Sequence, residues 1–211
     1  KYLDKVKQLC EGTKIEHFMQ YVSLDTGIPE HAEYIRRGLS PSRLHSYVHK
    51  YLTEVPHRNS LTYIITMNNL SILGLQQLLE HILELRKLYS TEYQRVWFDT
   101  PVLRKPEWQS LQILPPIYAD HLDRVADWME LNLETAKDPF HGFKDYEVQR
   151  LRRDIAWMRE GSNLDPKYVI LQKADFYRFF NEHDKRRRTD FLGTFPQMRE
   201  FWKECEYYAK N

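Results

Sequence analysis

The sequence predicts an α/β fold: an open parallel sheet of βα units up to about residue 115, then a helical appendage over 116–211. Three observations predict it. First, Leu61 to Tyr89 changes hydrophobic period once. Leu61, Tyr63, Ile64, Ile65 and Met67 form the short apolar, β-branched run of a strand covered on both faces. After Asn68-Asn69, the residues Ile72, Leu75, Leu78, Leu79, Ile82, Leu85 and Leu88 recur at three- and four-residue steps, the stripe of an amphipathic helix. Second, the same strand-then-helix grammar occurs before and after this unit. Third, the stretch beyond residue 116 reads as helices with no strands between them.

In chain order, Leu3, Val6, Leu9 and Cys10 share one helical face, and Gly12 is placed to end that helix. His17 to Leu24 reads as a strand with a polar tip at Ser23 and Asp25, before a Gly27-Pro29 turn. Ala32 to Arg37 forms a short helix stopped by Gly38. Ser40 then caps a helix with Pro41 at its first position and Leu44, Tyr47, Val48, Tyr51 and Leu52 inward. Ser71 is the expected N-cap of the long central helix. Arg95 to Phe98 gives a third strand ending at Asp99-Thr100-Pro101, and Ser110 to Leu114 a short fourth before Pro115-Pro116. Helices are expected over Ile117–Glu134, Lys144–Glu160, Pro166–Glu182 and Pro196–Lys210. Asp165-Pro166 supplies a cap and a first-turn proline, and Thr194 and Gln197 have capping-box spacing. Four strands are too few to close an eight-stranded barrel, so the sheet is open.

Bulk properties bound the function only loosely. A chain of 211 residues has room for a substantial core. With Lys+Arg at 31 against Asp+Glu at 30, the net charge of +1 exerts no global pull toward nucleic acid or membranes. Two cysteines, Cys10 and Cys205, make neither a disulfide framework nor a complete thiolate metal site, and a reducing cytoplasmic setting is expected. No apolar run reaches the roughly 18 residues of a membrane span, so a soluble protein is expected. The chain starts without Met inside what reads as a helix, as a piece of a longer polypeptide would.

The polar residues at three successive strand ends, Ser23, Asp25, Thr66, Asn68, Asn69, Asp99 and Thr100, can converge on one polar small molecule. The plainer reading is that Asn, Asp and Thr are ordinary residues of βα turns and caps. No glycine-rich phosphate loop accompanies them. Arg36 and Arg37 follow the first strand closely enough for one to grip a carboxylate at the rim, although solvated arginines are commoner. His45 and His49, one helical turn apart, have metal-ligand spacing but no third ligand evident in sequence. Lys185-Arg186-Arg187-Arg188, between Phe176 to Phe180 and Phe191, mixes cations with aromatics as single-strand nucleic-acid surfaces do. Core packing plus favourable charge at a helix end explains the same run.

YVSLD followed by AEYIRRG, TMNNLS with LQQLLEHILELRK, FDTPVLRKPEWQSLQILP, and the ending DFYRFFNEHDKRRRTDF with TFPQMREFW resemble radical S-adenosylmethionine enzymes with a twitch-type C-terminal extension. The resemblance runs over most of the chain. It implies a partial, open parallel βα barrel over 1–115 and a helical twitch-like extension over 116–211. Family members hold a 4Fe-4S cluster on a CxxxCxxC loop after the first barrel strand, and this sequence has no such loop. The resemblance therefore implies a C-terminal portion, inactive alone, of a parent that cleaves S-adenosylmethionine reductively and abstracts hydrogen from a substrate, with a peptide one candidate. By the same resemblance, Ser23 and Asp25 approach the ribose or amino end of the cofactor, Arg36 its carboxylate, and Thr66 and Asn68 its polar edge. A twitch extension carries an auxiliary cluster needing several thiolates, which Cys205 alone does not supply. The expected partners are the cofactor, the substrate and the missing N-terminal part of the barrel, with no membrane; binding of single-stranded nucleic acid by the tail stays a rival to this reading. The alternative is a non-catalytic scaffold or partner-binding module that works through the aromatic, charged tail.

Overall fold

The computed structural model describes residues 1–11, 15–56 and 58–211. Helix α1 (Tyr2–Glu11) leads to strand β1 (Met19–Ser23), and helices α2 (Pro29–Ile35) and α3 (Pro41–Glu54) lead to β2 (Ser60–Ile64). Helix α4 (Leu75–Tyr89) precedes β3 (Val96–Asp99). Beyond it lie α5 (Pro116–Glu130), α6 (Asp145–Arg159), the long α7 (Pro166–Arg187), the short α8 (Phe191–Thr194) and α9 (Arg199–Lys210). The expected end of α1 at Gly12 lies outside the described residues.

All three strands are parallel in the order β1-β2-β3, with Tyr21 opposite Thr62 and Thr62 opposite Trp97. Alternation of side chains along a strand divides this sheet into two faces. Val22, Leu61, Tyr63, Val96 and Phe98 face the helices and are buried. On the opposite face of β1, Met19 and Tyr21 are exposed, Tyr21 to 58%. The sheet is thus covered on one side and open along β1 on the other. A single cluster of buried residues runs from Leu3 to Cys205 and continues through the helical region without a break at residue 115.

The segment expected to be a fourth strand, Ser110 to Leu114, is instead a 3-10 turn over Leu111–Ile113, following another over Glu107–Gln109. Two local features account for this. The Ser110 hydroxyl accepts the Gln112 N–H at 3.2 Å and so competes with an extended backbone. On the outer edge of β3, the Val96 carbonyl accepts Arg86 Nε at 2.9 Å and Gln94 Nε2 at 3.3 Å, leaving a further strand no clear ladder.

Other boundaries shift for similar local reasons. Ser71 does not cap α4: its hydroxyl accepts the Asn68 N–H at 2.9 Å, and a 3-10 turn over Ile72–Gly74 precedes the helix. Thr194 and Gln197 form no capping box, because the Thr194 hydroxyl donates to the Asp190 carbonyl at 2.8 Å and α9 begins only at Arg199. Ser40 caps α3 as expected, and Asp165 accepts the Lys167 N–H at 3.0 Å to cap α7.

Two buried arginines join elements that the hydrophobic pattern leaves unconnected. Arg95 donates to the carbonyls of Leu52 in the last turn of α3, of Val55 just past it and of Asn59, at 2.7–3.1 Å. Arg86 holds both oxygens of Glu147 on α6. Helices α5 and α6 are laced on their outer sides by Arg152, paired with Asp123, Asp127 and Glu130, and by Arg159, paired with Asp120 and Asp123. No helix among the described residues is long and apolar enough to cross a membrane.

Candidate functional site

Beyond the carboxyl ends of the strands the β2–β3 ladder continues past the regular strands. The Met67 N–H reaches the Pro101 carbonyl at 2.8 Å, and the Leu103 N–H reaches the Met67 carbonyl at 2.9 Å. This extension carries Thr66 and Asn68 outward to the rim. There they meet the chain leaving β1 and the end of α2 around a cavity of about 310 Å³, and Asp25, Arg36, Thr66 and Asn68 all line it. That volume is at the small end of the range for ligand pockets.

The rim groups are already tied to one another. Arg36 donates to Asp25 through Nε (2.7 Å to Oδ2) and Nη2 (3.1 Å to Oδ1), and the Thr66 N–H donates to Asp25 Oδ1 at 2.9 Å. Asn68 Oδ1 accepts from the Leu70 and Ser71 N–H groups at 2.9 and 3.2 Å, an Asx turn that starts the path into α4. Its Nδ2 donates to the Thr66 carbonyl at 3.0 Å. Asn68 therefore builds the turn it sits in, and the Thr66 hydroxyl has no protein partner among the described residues.

Four expected rim residues lie apart from this cavity, one of them the buried Thr100. Ser23 is exposed at the end of β1, on the same sheet face as Tyr21 because strand residues two apart share a face. Asp99, two strands away and level with Ser23 through Ile64, is paired with Arg150. Asn69 is buried and ties the rim to the 3-10 turn below it, donating from Nδ2 to the Trp108 carbonyl at 2.9 Å.

The other wall comes from the tail, which the sequence pattern does not connect with the rim. Phe179, His183 and Arg187 follow one another at four-residue steps on α7, share one face and line the cavity. That spacing is the signal that was available. The ring of Trp108 lies 4.2 Å from that of Phe179. Tyr34 on α2 donates its hydroxyl to Asp184 Oδ1 at 2.8 Å, which anchors the end of α7 over the rim. Burial and then this carboxylate push the Tyr34 phenol well above its ordinary value, so it stays a donor. Burial likewise pushes the His183 imidazole down.

Most tail aromatics are spent on packing inside the molecule. Phe176, Phe180, Phe191, Phe195 and Phe201 are buried, and Phe191 stacks on Trp202 with ring centres 4.4 Å apart. Phe179 is 44% exposed. In the basic run, Arg186 is paired with Glu182 at 2.6 Å.

The two cysteines do not fit an iron-sulfur cluster. Cys10 on α1 lies near Asn59, with Sγ 3.6 Å from Oδ1, while Cys205 is buried in α9 and its thiol is pushed up by burial. The fold brings His81 beside the His45 and His49 pair, with ring centres 4.4 and 6.4 Å away. Even so, no three His, Cys, Asp or Glu groups among the described residues are placed to hold a metal ion. Compared with protein-family models, with curated proteins and with solved structures, the chain has no match.

Proposed function

We propose that the chain is the C-terminal portion of a radical S-adenosylmethionine enzyme, and that its rim cavity is one wall of the cofactor site. The observation that carries this reading is the convergence of Asp25, Arg36, Thr66 and Asn68, from three separate segments, on one cavity beyond the carboxyl ends of a parallel sheet. The exposed face of β1 supports it as well, because parallel sheets are ordinarily covered on both faces and the missing barrel strands would cover this one.

In this reading S-adenosylmethionine supplies, when bound and reduced, the radical that abstracts hydrogen from substrate. The chain's own residues do more modest work. The Asp25–Arg36 pair fixes the junction of β1, α2 and β2, the Thr66 hydroxyl offers a donor and acceptor to a polar ligand edge, and Phe179 and Phe180 form an apolar side of the cavity. The cluster and its ligands belong to the N-terminal part of the parent, and the substrate, with a peptide as candidate, enters from that side.

The test is the polypeptide extended upstream of Lys1, purified without oxygen. Bound iron and reductant-dependent release of methionine from S-adenosylmethionine are expected. An upstream sequence without a cysteine triplet, or an extended protein that binds no iron, would remove the reading.

A further inference from the structure

The rim cavity is lined by one arginine that forms no ion pair with a carboxylate among the described residues. Asp25 and Arg36 neutralise each other. Asp184 bonds elsewhere, its Oδ1 accepting from the hydroxyls of Tyr34 (2.8 Å) and Thr189 (2.6 Å) and its Oδ2 from the Phe191 N–H at 2.7 Å, with His183 Nδ1 3.5 Å from Oδ1. Arg187 lines the cavity from the last turn of α7, and no carboxylate among the described residues stands within 4.0 Å of its guanidinium. Its neighbour Arg186 differs, being paired with Glu182.

An unpaired arginine at a helix carboxyl end is ordinary when it points to water. Arg187 is exposed, and it also shares a face with Phe179 and His183 and lines the same cavity. It stands near enough to Tyr34 and His183 to influence the charge of both. Among the described residues that line the cavity, Arg187 is the arginine without a carboxylate partner.

We infer that the rim cavity binds a small molecule through a carboxylate received by the planar fork of Arg187, with the molecule's apolar part against Phe179 and Phe180. The inference rests on the rim being a ligand site, as proposed above. It moves the carboxylate contact from Arg36, whose fork Asp25 already holds, to a residue of the tail. The carboxylate belongs either to the aminoacyl end of the cofactor or to the substrate.

The test titrates the 211-residue chain and its Arg187→Gln variant with three probes: S-adenosylmethionine, its methyl ester, and 3-phenylpropionate as a plain apolar carboxylate. Arg187 is exposed at a helix end, and equal thermal midpoints would show that the variant folds. If the cofactor carries the carboxylate, esterification and Arg187→Gln should each weaken binding about ten-fold or more, and the variant should no longer distinguish acid from ester. If the substrate carries it, Arg187→Gln should leave S-adenosylmethionine unaffected and weaken 3-phenylpropionate to the same degree. Binding of 3-phenylpropionate through Arg187 without any binding of S-adenosylmethionine would count against the cofactor reading and for this one. Dissociation constants within two-fold of wild type for both acids, or no binding of either, would overturn it.

Discussion

Arg36 closes on Asp25 with both arms of its guanidinium, and the same carboxylate takes the Thr66 N–H, so one buried anion joins the ends of β1, α2 and β2. The Asp25 side chain is 4% exposed and that of Arg36 is 37% exposed. Arg36→Ala would leave a buried carboxylate with one donor, at a cost of about 1–3 kcal/mol once solvent screening of the outer partner is allowed for. Arg36→Lys should not restore the loss, because an ammonium cannot make two parallel contacts. Urea denaturation reads both, and an unchanged midpoint for Arg36→Ala would show that water replaces the arginine.

The Arg86–Glu147 pair is a stronger anchor, since its side chains are 0% and 2% exposed. Glu147 also accepts the Lys144 N–H at 2.9 Å and so caps α6, while Arg86 reaches the Val96 and Gly142 carbonyls at 2.9 and 2.7 Å. Arg86→Met should cost about 3–5 kcal/mol by stranding a buried anion. In the double variant with Glu147→Leu the loss should be smaller than the sum of the two single losses. Strict additivity would mean that the two side chains act independently.

Acid should loosen the α3–α4 contact. His81 is pushed down to about 4 from an ordinary 6.5, first by burial and then by His45 and His49 beside it. The Tyr63 hydroxyl is 3.5 Å from Nε2, and the only facing carboxylate among the described residues, Glu84, is 4.0 Å from Nδ1. The folded state thus favours the neutral ring. The stability this gives is complete above pH 6.5 and is lost as pH falls toward 4, by roughly 3 kcal/mol in all. Asp154 opposes it: burial pushes its carboxyl up to about 6, so its protonation in the same range favours the fold. Unfolding free energies of wild type and His81→Gln between pH 7.5 and 4 separate the two, the variant being flatter or reversed. Equal slopes would show that His81 titrates normally.

Two glycines make a matched test of steric against conformational cost. A Cβ on Gly27 would come within 2.6 Å of the Gln77 carbonyl carbon and also meet the Leu78 nitrogen, so the first turn of α4 would have to move. Gly38 has open space but a φ of +83°. Gly27→Ala is expected to cost more than about 2 kcal/mol and Gly38→Ala about 1 kcal/mol. Calorimetric melting of the two variants would show the order, and the reverse order would mean that the β1–α2 turn yields more easily than its packing suggests.

Hydrophobic period by itself determined that β1, β2 and β3 are strands, that α3 and α4 each turn one apolar stripe inward, and that the region beyond residue 116 is helical. Each of these follows from the side chains of a single segment. The same local reading failed at Ser110 to Leu114, which is apolar enough for a strand, because pairing depends on a free neighbouring edge and Arg86 and Gln94 occupy it. It also placed Ser71 and Thr194 as helix caps, since the competing partners, Asn68 and the Asp190 carbonyl, are settled by the turn geometry.

At the candidate site, polar strand tips were legible as a group, and Asp25, Thr66 and Asn68 do share one rim. What only the tertiary structure decided is the pairing of charges around that rim. Arg36 is held by Asp25, and Arg187 forms no ion pair among the described residues, although in sequence both are simply arginines near a helix end. The fold brings α7 back across about 120 residues to the end of β2. An electrostatic balance of this kind depends on distances that a linear sequence does not contain.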